Sequence, residues 1–338
     1  MFKRLLTLLG DKQAPSTIRV VLPYICLNAY ADEILANYDF KLQKDGDIFE
    51  FLNVLQFQHS MTREQFEVIK AIKEKYQEKY GFNIFYETDD LALETPIYNT
   101  SYNYCEKNKD NIKRILCAVD CIVCSTVELS THMKKYNKTI IIKNRLVKGL
   151  WETEKRETFF ETDTKPKIIW CGGSYHFSRE TGEGDFDDSV IDYINETSDR
   201  FNWIFFGSLP PKLKNNNKIT FHNWTRNYFE YVYKLKNIKP DIGIALLVNN
   251  NFNKCKSNIK ALEYTALNIP GVYSKITPYQ NMAINVHNTK SFIDQIELLV
   301  SDYKYYNRIR DKDYNTLKDS LYWNDDYCKE YIKKYLGD

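Results

Sequence analysis

The feature that most constrains this chain is the run at 242–248, IGIALLV, whose residues are apolar on both phases of a strand's alternation. A strand with one face in water alternates hydrophobic and polar residues, whereas one apolar on both faces belongs inside a parallel sheet covered on each side. Parallel strands need long crossovers, so such a chain should alternate strands with helices. Further strands are expected at 167–171, 203–206, 219–222 and 271–274, and in the first half at 18–22, 49–55, 83–86, 121–124 and 139–142. Helical spacing fills the gaps at 63–80, opened by Thr62 with Glu64 and Gln65 in its first turn, and at 106–119 and 127–136. Ser291 with Asp294 predicts a capped start for a helix over 292–310, and a last amphipathic segment runs over 327–335.

A length of 338 residues suits two domains of roughly 150 residues each. The charged, turn-rich stretch 149–167 interrupts the alternation, which then restarts. The expected division is a first α/β domain at 1–150, a linker at 151–166, a second α/β domain at 167–315, and a helical segment at 316–338 packing back toward the first. Doubly wound domains bind ligands at the carboxyl ends of their strands, so the cleft between the two is the expected site.

Charge excludes some partners and leaves others. The 47 Lys and Arg against 45 Asp and Glu leave a net +2, so no global field steers the chain onto nucleic acid or an anionic membrane. The opening segment MFKRLLTLLG is too short in apolar residues for a signal sequence or a span, which predicts a cytoplasmic protein with no stable membrane insertion. Of the eight cysteines, Cys117, Cys121 and Cys124 have metal-like spacing, but no second Cys or His pair completes four ligands. They are expected to be reduced core residues, with Cys121 and Cys124 on opposite faces of their strand.

The chemistry concentrates at 252–279, FNKCKSNIKALEYTALNIPGVYSKITPY. Ile259, Leu262, Ala266 and Leu267 recur at helical spacing, Ser257 is the expected N-cap, and Pro270 ends the helix. Acids are preferred at a helix start, yet here stand Lys254, Lys256 and Lys260. An anion resolves the conflict: N–H groups of Ser257, Asn258 and Ile259 cradle a phosphate while the lysines neutralise it. Otherwise the lysines are simply solvated. Glu263, one turn on, is either half of a surface ion pair with Lys260 or an acceptor for two vicinal hydroxyls such as those of a ribose. Gly172 and Gly173 follow a strand and suit close backbone approach to a ligand, although neither the dinucleotide fingerprint nor a P-loop is present. His176 is a candidate hydrogen-bonding group in the cleft.

This segment resembles the donor-binding motif of GT-B glycosyltransferases, specifically the retaining, family-4-like group (glycosyl transferases group 1), which has phage-type members. The resemblance covers almost the whole chain. KIIWCGGSYHF (167–177) resembles the first strand and loop of the donor domain, followed in order by FFGSLP (205–210), FHNW (221–224) and KPDIGIALL (239–247). The acceptor domain is matched through NIFYETDDL (83–91), DCIVCSTVELSTHM (120–133) and IIIKN (140–144). It implies two Rossmann-like doubly wound domains facing a central cleft.

By the same resemblance, Glu263 holds the donor ribose, Lys256, Ser257, Asn258 and Lys260 the diphosphate, and the loop of His222, Asn223 and Trp224 meets the nucleobase. The wider family often carries another Glu where this chain has Cys255, so backbone groups or Lys256 would replace its contact with the donor sugar. The implied reaction moves a hexosyl or pentosyl group from a UDP- or GDP-sugar to a hydroxyl with retention, needing no metal or other cofactor, and the departing phosphate takes the acceptor's proton. Lys256, Lys260, Glu263, His176 and Asp89 make up the expected catalytic set. Glu87, Asp89 and Asp90 resemble a D-x-D metal cluster, but since lysines and a helix start already serve the diphosphate, these acids are expected on the acceptor side, polarising a hydroxyl or fixing the loop to Pro96. The expected acceptor is a glycan or a hydroxymethylated base in DNA, as in phage DNA-modifying glycosyltransferases. For DNA, Lys134, Lys135, Lys138, Lys143, Arg145 and Lys148 would form a phosphate-tracking groove or else a solvated face. Two other readings are a degenerate nucleotide-sugar binder, suggested by Cys255, and an epimerase of the same architecture.

Overall fold

The structure, a computed structural model, describes residues 3–10, 14–39, 46–154 and 165–337. Residues 155–164 of the expected linker lie outside the described residues. The first sheet comprises β1 (Lys3–Leu8), β2 (Ile34–Asp39), β3 (Val54–Gln58), β4 (Asn83–Thr88), β5 (Cys121–Cys124) and β6 (Thr139–Ile141), in the order β2-β1-β3-β4-β5-β6. The second comprises β7 (Lys167–Gly172), β8 (Asn202–Gly207), β9 (Thr220–Asn223), β10 (Ile242–Ala245), β11 (Gly271–Ser274) and β12 (Asn285–Val286), in the order β12-β11-β10-β7-β8-β9. Every strand pair is parallel. In each sheet the strand order reverses once, beside β1 and between β7 and β10, and there the loops at the carboxyl ends part to leave a crevice.

β10 is central and covered on both faces, as its composition predicts. Ile242 and Ile244 enter one core while Ala245 and Leu247 enter the other. Its ladder ends at Ala245, three residues short of the apolar run. Gly243 lets the following helix, Ile259–Ala266, lie against the strand: a Cβ there would meet the Tyr264 ring at 2.3 Å. Tyr264 also donates its hydroxyl to the Ile244 carbonyl. The buried strand thus sets the height of the helix that begins at the cleft.

Several elements depart from expectation. Residues 18–22 are helical, within a continuous helical stretch from Ala14 to Tyr30; a short β-branched run suits a buried helix as well as a strand, and here it carries the buried Arg19 to Glu87. The segment expected as a strand at 49–55 is a 3₁₀ turn, Gly46–Phe51, followed by β3. β1, β2 and β12 were not anticipated. The helix over 292–310 is two helices, Thr289–Ser301 and Tyr303–Leu321, with Asp302 ending one and accepting from the Tyr305 N–H to cap the next. Its first cap is Asn288, with Ser291 three residues on; Asp294 takes no part in that cap. Thr62 does cap Arg63–Ile72 in a capping box with Gln65.

Both faces of the first sheet are buried. Ile122 and Cys124 enter one core and Cys121 and Val123 the other, so the two cysteines do lie on opposite faces. Cys117, by contrast, is exposed. The helix Asp325–Leu336 follows the second sheet in sequence but places Cys328, Tyr331 and Tyr335 in the core with Leu5, Tyr24 and Phe85. Trp151 runs the other way, fully buried in the second lobe's core and donating its indole N–H to Tyr228. Part of the seam between lobes is apolar: Phe252 and Cys255, from the segment after β10, pack into the first lobe's core beside Leu91 and Leu129. Among the described residues no helix is long and apolar enough to cross a membrane.

Candidate functional site

A cavity of about 820 Å³ lies between the lobes at the carboxyl ends of β3, β4, β7 and β10. Its second-lobe wall begins at Gly172 and Gly173, where β7 ends. A Cβ on Gly172 would enter the Trp170 ring at 2.4 Å, and one on Gly173 would meet Tyr175 at 2.7 Å and Trp224 at 3.2 Å. Gly207, which adopts φ +107°, lies 2.6 Å from the Gly172 carbonyl on the same measure. Backbone and aromatic rings therefore close in on this loop, and Trp224, about half exposed, stands on the cavity rim. Asn223 ends β9 and is exposed, outside the cavity lining.

The helix start expected to bind an anion opens on the same cavity. Between β10 and the helix lies a short turn of helix, Asn251–Lys254, capped by Asn250. The N-cap of Ile259–Ala266 is Asn258, not Ser257, and its side chain makes no capping bond. Ser257 is drawn elsewhere: its Oγ accepts from Asn144 of the first lobe at 2.8 Å. Among the described residues, the N–H groups of Ser257, Asn258, Ile259 and Lys260 find no acceptor. Ser257, Ile259, Lys256 and Lys260 line the cavity and Asn258 does not.

Glu263 is not a surface residue. Its side chain is 2% exposed, and one carboxylate oxygen accepts from Lys260 at 2.7 Å and from the Tyr231 hydroxyl at 2.8 Å while the residue lines the cavity floor. Lys256 reaches across the cleft to Asp90 at 3.2 Å. Burial alone would lower the Lys256 ammonium; Asp90 and Asp185 outweigh it and hold it above its ordinary value. Across the lining four cations, Arg179, Arg226, Lys256 and Lys260, face three carboxylates, Asp89, Asp90 and Glu263.

The acid cluster after β4 is split by the fold. Glu87 is fully buried below the cavity, accepting from Arg19 at 2.6 Å and Gln58 at 2.9 Å. Asp89 faces the cavity and meets His59 Nε2 at 2.7 Å; His59 sits at the end of β3 with φ +49°. Burial pushes the Asp89 carboxyl up, but His59, Arg19 and Lys256 more than reverse this and bring it to about 2. Among the described residues no three His, Cys, Asp or Glu side chains are grouped to hold a metal ion. His176 lines the second-lobe wall with Nδ1 2.7 Å from the buried Asp185. Cys255, in the position of the absent Glu, is fully buried in the seam, where burial pushes its thiol up to about 12. Its carbonyl accepts from Thr126 of the first lobe at 2.8 Å.

Sequence reasoning missed Arg19, His59, Asn144, Asp185 and Tyr231, which reach the site from distant segments. The proposed basic groove is not at the cavity. Arg145 lies over the Tyr327 ring and donates to the Asp319 and Tyr322 carbonyls, Lys148 pairs with Glu152, and none of the six residues lines the cavity.

No protein-family model matches the chain, and no curated protein matches it. Solved structures do. The N-terminal domain of trehalose-6-phosphate phosphatase from Candida albicans is similar at a TM-score of 0.59 and 10% identity, over 99% of this chain and 97% of that one. An O-GlcNAc transferase mutant from Thermobaculum terrenum gives 0.55 and 9%, over 99% of this chain and 68% of that one. The catalytic domain of starch synthase IV from Arabidopsis thaliana, bound to ADP and acarbose, gives 0.51 and 9%, over 88% and 78%. The fold is GT-B. At these identities the likeness concerns architecture, and in that GT-B architecture the cavity occupies the cleft between two Rossmann-like lobes.

Proposed function

We propose that this chain is a retaining, family-4-like glycosyltransferase that binds a UDP- or GDP-sugar in the interlobe cavity and transfers the sugar to a hydroxyl acceptor. The observation that carries the reading is the start of Ile259–Ala266: the N–H groups of Ser257, Ile259 and Lys260, which find no acceptor among the described residues, stand with two lysines and a buried Glu263 on one wall of the cleft. Helix-start N–H groups require acceptors, and a diphosphate supplies them together with the charge that Lys256 and Lys260 answer. Asp90 is the present partner of Lys256, so the diphosphate takes over a cation that a first-lobe carboxylate holds in its absence. Glu263, one turn deeper, accepts the ribose hydroxyls, and Trp224 on the rim offers its ring to the nucleobase.

As the sugar leaves, negative charge grows on the departing phosphate. Donors already aimed there lower the barrier more than groups that must reorient, which is the role assigned to Lys260 and the free N–H groups. This cationic set meets the charge without calling for a divalent metal. The departing phosphate oxygen takes the acceptor proton on the same face of the sugar, and no side chain acts as nucleophile. Asp89, held ionised by His59, faces the site from the first lobe and receives the acceptor hydroxyl. The acceptor is a glycan or a hydroxymethylated base in DNA; none of the six basic residues at 134–148 lines the cavity, so the reading of the donor site does not depend on them.

The test is a heat-stability screen followed by turnover. A ligand at about 100 times its dissociation constant adds about 2.7 kcal/mol to the folded state, a midpoint rise of roughly 4 °C for a chain of this size. UDP or GDP should produce it and the bare nucleosides should not. Free nucleoside diphosphate should then appear from the matching sugar nucleotide with an oligosaccharide acceptor, and vanish in Lys260→Ala and Glu263→Ala. Binding without turnover on any acceptor, including hydroxymethylated DNA, would favour the degenerate binder. Sugar interconversion without an acceptor would favour the epimerase.

A further inference from the structure

The buried carboxylate of Asp185 belongs to no motif in the sequence, yet four segments converge on it. The chain after His176 folds back so that the Asp185 N–H donates to the His176 carbonyl at 2.8 Å, and Gly184, at φ +153°, makes room, since a Cβ there would lie 2.2 Å from the same carbonyl. The Asp185 side chain is 1% exposed. Its Oδ1 accepts from the Val248 N–H at 2.7 Å, from Asn253 Nδ2 at 2.9 Å and from the Tyr98 hydroxyl at 3.3 Å. Tyr98 comes from the first lobe, and its hydroxyl in turn accepts from Asn250 and Asn253. Burial, with the charge of Asp185, pushes the Tyr98 phenol above its ordinary value, so it remains a donor. Among the described residues Oδ2 is thus left for His176 alone, at 2.7 Å from Nδ1.

A carboxylate only accepts, so Nδ1 must carry the proton in this pair, and the other ring nitrogen, Nε2, has no partner among the described residues. We infer that Asp185 is a positioning residue that keeps the His176 proton on Nδ1, so that Nε2 offers a lone pair to a hydroxyl of the sugar bound in the cavity. The ligand named here rests on the nucleotide-sugar reading; the tautomer rests on the hydrogen bonds alone. It also supplies the sugar with a contact that the buried Cys255 cannot make.

The decisive variant is Asp185→Asn. Three donors converge on Oδ1, so the amide oxygen must stay there and the NH₂ group must replace Oδ2. That group donates to Nδ1 and forces the proton onto Nε2, turning the cavity-facing nitrogen from acceptor to donor. Tyr98→Phe removes one of the three donors and leaves the carboxylate, so it should keep the Nδ1–H form. ¹⁵N spectra of the full chain with labelled histidines, recorded near pH 8 where a free imidazole is neutral, read the tautomer directly. The His176 signal among the five histidines is assigned by His176→Asn.

The expected result is Nδ1–H in the native chain and in Tyr98→Phe, and Nε2–H in Asp185→Asn. With it, sugar transfer in Asp185→Asn should fall in kcat by about 10- to 100-fold while the dissociation constant for UDP or GDP stays within about threefold. Nε2–H in the native chain, or no change of tautomer in Asp185→Asn, overturns the assignment, as does an unchanged kcat after the switch. A tautomer switch in a chain that binds no nucleoside diphosphate would instead overturn the nucleotide-sugar reading and leave the role of Asp185 in fixing His176 supported.

Discussion

Glu263→Gln exchanges one oxygen for an NH₂ group at the floor of the cavity and separates the two functions assigned to this carboxylate. In the free chain one oxygen accepts from both Tyr231 and Lys260, at 2.8 and 2.7 Å, on a residue 1% exposed. Hydrogen bonds to a charged acceptor contribute about 1.5–3 kcal/mol each and neutral ones about 1 kcal/mol. Gln keeps an acceptor for Tyr231 but loses the charge facing Lys260, whose side chain is 22% exposed and so partly rescued by water. The expected loss of stability is about 1–2 kcal/mol, a midpoint drop of a few degrees. Binding is the sharper readout. If the carboxylate takes both ribose hydroxyls, the 2′,3′-dideoxy analogue of the bound nucleoside diphosphate should bind the native chain about 10- to 100-fold more weakly than the parent. In Glu263→Gln that ratio should shrink to about fivefold or less, a coupling of about 1–2 kcal/mol between side chain and ribose measurable by titration calorimetry on the four combinations. Equal binding of parent and dideoxy ligand to the native chain refutes the ribose assignment, and so does an unchanged ratio in the variant.

Cys255→Glu, which writes the family's acid into the chain, should not create a donor-sugar contact: it would bury an unpaired carboxylate in the seam and cost about 3 kcal/mol or more, seen as a fall in the unfolding midpoint. Gly207→Ala meets both a φ of +107° and the Gly172 carbonyl at 2.6 Å, so it should weaken nucleotide binding by shifting the glycine loop as well as lower the midpoint. Asp313 is buried, accepting from the Ala283 N–H at 2.8 Å, and burial raises its carboxyl from 3.8 to about 6. The folded state therefore favours the protonated form: its contribution is full below about pH 4 and is lost as pH rises through about 6. Asp313→Asn should remove that part of the pH dependence, gaining no more than about 3 kcal/mol on the native chain between pH 4 and 7 in denaturant titrations.

What was legible in the sequence follows from the range of the forces involved. β10 and the helix after it could be seen because covering a strand on both faces leaves an uninterrupted apolar record, and because lysines at a helix start break a local electrostatic rule. Residues 18–22 misled because a short β-branched run satisfies strand and buried helix alike; the deciding contact, Arg19 to Glu87, spans 68 residues. β1 was hidden by Lys3 and Arg4 at its start, and β12 by having only two residues. At the site, Glu87, Asp89 and Asp90 read as one cluster, yet Glu87 lies inside β4 and turns into the core to Arg19, while Asp89 and Asp90 lie past the end of the strand at Thr88 and reach the cleft. Asp185 and Tyr98 left no local trace, since their meeting depends on two lobes coming together.

Every functional assignment made for the cleft requires a nucleoside diphosphate at the start of Ile259–Ala266. A crystal structure of the chain with bound UDP or GDP tests it most directly. Phosphate oxygens are expected against the N–H groups of Ser257 and Ile259 and the Lys260 ammonium, with Asp90 released from Lys256 and the ribose on Glu263. A nucleotide lodged elsewhere, with those N–H groups facing only water and the Lys256–Asp90 pair intact, would contradict it.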